Sequence, residues 1–360
     1  MTSTKQPKHL KIEDWPKTDR LAFEAAFMAG DIFDDQCPPG ANLSVGSRRK
    51  NQNSYGRWLG HLAVADPEAL LIPPGERLTV DRIRRFVLEL QDEVRATTVA
   101  STVDGIYQTA RLIAPAIDWS WLSGLKRRLH AQSEPLDRFG KLVMPDETLE
   151  IGVSLMESAS DAVPRTHKLN EVEYRNGLII ALLTFWPIRR RSIAALTANR
   201  HIEQSEGRIN LLLYSEDTKG RRSEAITLHP ILFPYFEHYL AKIRPILLGE
   251  KTSVALWVSQ RGGPLTSGAI YDAVRRNLFK ATGKSMGLHD FRRAAGTYIA
   301  QTMPEKIGIL PGLLRHCDPN TGQRHYNQAR SETASRRFAE VQREMRGKYR
   351  AVQRKKIFEP

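Results

Sequence analysis

The chain has 360 residues, with 54 Lys and Arg against 40 Asp and Glu, for a formal charge of +14. Its 41% hydrophobic and 8% aromatic content belongs to a globular protein of two or three domains, and the basic excess points to a polyanionic partner, nucleic acid first. A helical membrane span is excluded because no run of about eighteen apolar residues occurs, and the lysine-bearing start lacks the apolar core of a signal peptide. Two cysteines, Cys37 and Cys317, exclude a disulfide scaffold and fit a reducing, cytoplasmic setting.

Residues 1–45 carry five basic and seven acidic side chains and read as an N-terminal extension with one short helix, DRLAFEAAFMAG. From Ser47 the pattern turns helical: Tyr55, Trp58, Leu59, Leu62 and Ala63 fall on one face, with Arg48, Arg49, Lys50 and Arg57 opposite. Three more helices are predicted, from Thr79, from Thr97, and across Trp121 to His130, which makes 46–132 a helical bundle. The stretch 133–145, with Pro135, Gly140 and Pro145, reads as a linker.

Helices resume at Glu147–Ser158 and Asn170–Trp186, the second so apolar (LIIALLTFW) that it is expected to be buried. Two strands follow, Ile209–Tyr214 and Glu224–Leu228, joined by the turn SEDTKGRR. Further helices are predicted at Pro230–Arg244, Ser267–Thr282, His289–Thr302 and Glu305–Arg315. The tail, 331–360, is a basic amphipathic helix with Ala334, Phe338, Val341 and Met345 in line. The fold class is therefore mainly α, a helical bundle followed by an α-rich domain (146–330) with a small antiparallel sheet.

Several familiar motifs fail. ATGKS, at Ala281–Ser285, has Leu278 where a phosphate loop needs its upstream glycine. His316, Cys317 and His325 lack the second half of a zinc site, and Asp31, Asp34 and Asp35 form an acidic loop outside the basic body. No cofactor is expected.

What remains is a set of groups suited to a phosphodiester. In WPIRRRSIAAL three arginines follow a buried helix, and a buried guanidinium needs an anion. Lys219 stands at the tip of the two-stranded turn. In GLHDFRRAAG, His289 and Arg292 share one helix face at i and i+3. In LLRHCDPNTGQRHYN, His316 precedes Tyr326 by ten residues.

The order Arg189, Lys219, His289-x-x-Arg292, His316, Tyr326 resembles the catalytic array of the tyrosine recombinase (phage integrase) family. The bundle before it resembles that family's core-site DNA-binding domain. The likeness runs over roughly 46–330. Arg189 is chosen among the three arginines because it precedes Leu196 by seven residues, as in the family's Gly-Leu-Arg-x-x-Glu-Leu-x-x-Leu pattern. Departures are Trp186-Pro187-Ile188 before that arginine, Ser192 at the usual acidic position, Arg315 in place of a glycine, and Tyr326 one residue late with His325 in the commoner slot.

The resemblance implies a site-specific recombinase acting on double-stranded DNA, integrating or excising a mobile element in a bacterial cytoplasm at the nucleoid. It implies a homotetramer joined through the tail helix. Arg48, Arg49, Lys50 and Arg57 are the expected DNA contacts. The chemistry needs neither metal nor ATP: two arginines and a histidine hold the non-bridging oxygens, Tyr326 attacks with His289 as base, and Lys219 protonates the departing 5′-oxygen. A non-catalytic DNA-binding relative and a type IB topoisomerase or telomere resolvase are the competing readings.

Overall fold

The computed structural model describes residues 9–28, 38, 40–133, 139–205, 207–218, 223–303, 306 and 308. The chain divides into two compact units, residues 1–137 and 138–360.

The first unit is helical: α1 (Lys17–Ala25), α2 (Val45–Ala65), the single turn α3 (Pro74–Arg77), α4 (Val80–Glu93), α5 (Ala96–Ile113) and α6 (Ser120–Gln132). Ser44 and Thr79 cap α2 and α4, their hydroxyls accepting the backbone N–H groups of Ser47 and Arg82 at 3.2 and 3.4 Å. The predicted stripe of α2 is buried as expected, with Tyr55, Trp58 and Leu59 wholly inaccessible. At Gly105 of α5 a Cβ would stand 2.2 Å from Ser54 Oγ, so α2 and α5 approach to a distance only glycine permits.

The segment set apart as an N-terminal extension supplies Trp15 and Phe23 to this same core. It also supplies Asp19, whose Oδ1 lies 2.5 Å from Arg77 Nη1, both side chains fully buried. Tyr55 donates its hydroxyl to that oxygen at 2.7 Å, and the carbonyls of Ala69, Leu70 and Ile72 accept three further Arg77 N–H groups. Burial, reinforced by the Asp19 charge, holds the Tyr55 hydroxyl well above its ordinary pKa.

The second unit is built around α7 (Pro145–Asp161) and α8 (Leu169–Phe185). Leu178 to Leu183 of α8 are buried on every side, as the unbroken apolar run predicts. A Cβ on Gly177 would stand 2.6 Å from the Gly152 carbonyl oxygen, and one on Gly152 2.9 Å from that of Gly177, so the two helix backbones touch. Val143, inside the stretch read as linker, belongs to this core, its N–H reaching Met286 Sδ at 3.3 Å.

After α8 come the short α9 (Arg190–Ala195) and an antiparallel sheet of β1 (Ile202–Ser205), β2 (Arg208–Leu213) and β3 (Glu224–Thr227), in that order. β2 buries Ile209, Leu211 and Leu213 on one face. β1 went unpredicted because IEQS is short, polar and at the edge, with no apolar alternation to betray it.

The helix expected over 230–244 is present in pieces, α10 (Phe233–His238), a π-helical stretch at Tyr239–Ile243, and α11 (Arg244–Leu248). Pro245 has no N–H for the carbonyl four residues back, and the widened turn stands directly before it. α12 (Ser267–Thr282) matches its predicted bounds, and α13 (Leu288–Thr302) begins one residue early. Asp290 caps α13, its Oδ2 accepting the Gly287 N–H at 3.0 Å. The predicted helix at Glu305–Arg315, which reaches the described residues only at Lys306 and Gly308, and the tail helix otherwise lie outside them.

Candidate active site

Two elements of the second unit carry the arginines. The chain leaves α8 through Trp186-Pro187-Ile188, all buried, and enters α9 with Arg189 in extended conformation as its N-cap. Arg189 is half-buried, whereas Arg190 and Arg191 are exposed, and Arg190 lies 5.7 Å over the ring of Tyr271. The inner arginine of the three is thus the one the family pattern selects.

On α13, Arg292 is buried to 6% exposure, and its Nη1 donates to the Pro187 carbonyl at 2.8 Å. This bond spans 105 positions in sequence and brings Arg292 against the loop that presents Arg189 two residues later. His289, one helical turn before Arg292, is exposed. Arg189, His289 and Arg292 therefore derive from one α8–α9 loop and one helix face. Lys219, His316 and Tyr326 lie outside the described residues, as do Asp31, Asp34, Asp35, Cys317 and His325.

Behind Arg189, a polar cluster appears that sequence reasoning missed. Ser192, three residues on, is buried, and its hydroxyl donates to the Asp217 carbonyl at 3.0 Å. Asp217 ends a 3-10 turn, Ser215–Asp217, whose carboxylate accepts the Tyr214 N–H at 3.2 Å and lies 2.9 Å from His201 Nε2. The His201 ring is 2% exposed, and its Nδ1 sits 2.9 Å from the Thr197 backbone nitrogen. A backbone N–H only donates, so Nδ1 is the acceptor and Nε2 carries the hydrogen given to Asp217. No periodicity marks these residues; the only signal was Ser192 in a position where an acid was expected.

In the first unit, the four basic residues of α2 are not equivalent. Lys50 Nζ lies 2.5 Å from Asp104 Oδ2, and Arg57 Nη2 lies 2.9 Å from Glu93 Oε2. Burial pushes the Asp104 carboxyl up, but the Lys50 hydrogen bond and the Lys50 and Lys126 charges outweigh it and hold it below its ordinary range. Arg48 stacks 4.5 Å over the Phe27 ring, and Arg49 is exposed. Two of the four charges are thus already partly neutralised by acids.

No family model matches the chain. It is 21% identical over 281 residues to "Tyrosine recombinase XerD" of Chlorobaculum tepidum, covering 76% of this chain and 83% of that one. It is 26% identical over 115 residues to the XerD of Staphylococcus saprophyticus, covering 32% of this chain and 39% of that relative's length. Among solved structures, the XerH site-specific recombinase bound to a palindromic difH substrate superposes with a TM-score of 0.56 at 16% identity, over 91% of this chain and 99% of that one. The chain thus shares the fold of a tyrosine recombinase along most of its length and is similar in sequence to members of that family.

Proposed function

We propose that this protein is a site-specific DNA recombinase that cuts and rejoins duplex DNA through a 3′-phosphotyrosyl intermediate. The observation that carries this reading is the Arg292–Pro187 hydrogen bond, which gathers two arginines from distant sequence at one loop. The Arg292 guanidinium so held, together with that of Arg189 two residues after Pro187, suits the two non-bridging oxygens of a phosphodiester, where their charge acts on the transition state. XerH was solved on a DNA substrate, and the same class of partner, double-stranded DNA, is proposed here. Arg49, exposed, and the α2 basic residues beside it are proposed to contact DNA from the first unit.

In the proposed reaction Tyr326 attacks phosphorus, its proton passing to His289. Arg189, Arg292 and His316 hold the phosphoryl oxygens, and Lys219 gives a proton to the leaving 5′-oxygen. The bond energy stays in the phosphotyrosine, so rejoining needs no ATP, and no metal is invoked. The tail helix joins protomers into a homotetramer on paired sites, in the cytoplasm at the nucleoid, and the biological role is integration or excision of a mobile element.

The test is a nicked suicide duplex built from sequences the protein itself retains from a randomised pool. Wild-type protein should form a covalent adduct in the presence of EDTA. Tyr326→Phe should bind the duplex and form none, and Arg292→Ala should lower adduct formation by about 10²–10³-fold while binding persists. Binding without any adduct would leave a non-catalytic DNA-binding relative, and relaxation of supercoiled DNA without regard to sequence would leave a topoisomerase.

A further inference from the structure

A cavity of about 520 Å³ opens between the first turns of α8 and the length of α12, wholly within the second unit. Arg189, His289 and Arg292 take no part in its lining. At its floor lies Arg175 of α8, only 3% exposed. Nη1 of this arginine donates to the Val258 carbonyl at 2.6 Å, and Nη2 and Nε donate to Asn176 Oδ1 at 2.7 and 3.3 Å. These partners are neutral, and no carboxylate pairs with Arg175 among the described residues. Burial pushes its pKa down to about 10, opposed by the Tyr239 hydroxyl, so the guanidinium remains charged at neutral pH.

The two polar side chains of the floor offer donors. A guanidinium carries five N–H groups, and only part of that set is engaged by Val258 and Asn176. Asn176, itself buried, turns its oxygen to Arg175, which leaves its amide N–H groups without an acceptor among the described residues. The rim continues the sign. Arg276 and Lys280, one turn apart on α12, are exposed there and have no ion pair among the described residues. Arg165 is paired with Glu173, and Asp272 is the remaining acid of the lining. Asn277 commits its Nδ2 to the Ala273 carbonyl at 2.8 Å, so its oxygen is turned to acceptance.

A buried charge is costly to leave unpaired. A neutral donor would tie α8 to the Val258 carbonyl as well; a guanidinium adds a charge and a planar fork matched to phosphate oxygens. Arg175, Asn176, Arg276 and Lys280 together present more donors than the two oxygens of a carboxylate can accept. The cavity is also far larger than an inorganic ion and falls in the range of small-molecule sites.

We propose that this cavity binds a small phosphate monoester of nucleoside size. Its phosphate lies on Arg175 and Asn176 between Arg276 and Lys280, and its hydroxyl-bearing body runs along α12 within reach of Asn277. The site is separate from the phosphodiester site proposed above and stands whether or not that reading holds.

The experiment is isothermal titration calorimetry of the full chain at about 0.15 M salt, with adenosine 5′-monophosphate, inorganic phosphate and adenosine as probes. The monophosphate should bind saturably with a Kd below about 1 mM, inorganic phosphate more weakly, and adenosine not at all. Arg276→Ala and Lys280→Ala, surface changes that leave the fold intact, should each weaken the monophosphate about tenfold. Asp272→Asn should tighten it, because a like charge leaves the lining. Arg189→Ala should leave the affinity unchanged. Arg175→Gln keeps a donor for Val258 and should abolish binding; the two rim variants carry the test should its native circular dichroism be lost.

No saturable binding of either phosphate, equal affinity for adenosine, or affinity lost in Arg189→Ala yet kept in Arg276→Ala would overturn the proposal. So would rim variants that bind duplex DNA more weakly but the monophosphate unchanged, which would give this surface to the DNA backbone instead.

Discussion

Asp19→Ala strikes a fully buried ion pair in the first unit. It leaves Arg77 fully buried with three carbonyl partners and no anion, and it strips the Tyr55 hydroxyl of its acceptor. Breaking a buried pair by removing one partner costs about 3–5 kcal/mol. A stranded hydroxyl costs about 1–3 kcal/mol, and the two overlap because one oxygen serves both groups. The expected loss is therefore about 4 kcal/mol, a large share of the roughly 5–15 kcal/mol that holds a domain folded.

The assay is urea unfolding of the full chain by tryptophan fluorescence, in which Trp15 reports locally because its ring packs 5.1 Å from that of Tyr55. With a slope of about 2 kcal/mol per molar urea, the midpoint of this unit should fall by about 2 M. Asp19→Asn keeps an acceptor for Tyr55 and should lose less. Arg77→Met added to Asp19→Ala should recover part of the loss, because no uncompensated charge then remains. A midpoint that moves by less than about 0.5 M, or a double variant no more stable than Asp19→Ala, would refute the assignment of the energy to this pair.

Two glycine substitutions should act with opposite signs. Gly177→Ala drives a Cβ into the Gly152 carbonyl and should destabilise the second unit by about 1–3 kcal/mol. Gly124→Ala in α6 meets only the Arg128 side chain at 3.4 Å and should stabilise by about 0.5–1 kcal/mol, both read by thermal unfolding. Burial raises the Tyr239 hydroxyl to about 12 and those of Tyr55 and Tyr174 also upward. Their folded values exceed the unfolded value of about 10, so their contribution to stability is complete below about pH 10 and is lost as pH rises through the folded values. In a near-ultraviolet titration these three of the ten tyrosines should stay silent until the chain unfolds; full amplitude with native circular dichroism would contradict their burial. Truncation after Arg330 should give a protein that binds single sites but assembles no paired-site complex in gel-shift assays, and tetramers of the truncated chain would remove that role from the tail.

The sequence by itself determined what local patterning controls. Tyr55, Trp58, Leu59 and Leu62 repeat at helical spacing and are the buried face of α2, and the apolar run of α8 is the buried centre of the second unit. The order and spacing of Arg189, His289 and Arg292 are visible in the sequence because residue types at fixed offsets can be read without knowledge of contacts. Tertiary structure alone decided the rest. It left Arg189 half-buried and Arg190 and Arg191 exposed, and it brought Arg292 of α13 to the Pro187 carbonyl two residues before Arg189. It folded Asp19 into the bundle against Arg77, 58 positions away, and it turned Ser192, His201 and Asp217 into one network. Such contacts join isolated polar residues across long stretches of chain, and a single hydrogen bond leaves no period in the sequence for a reader to find.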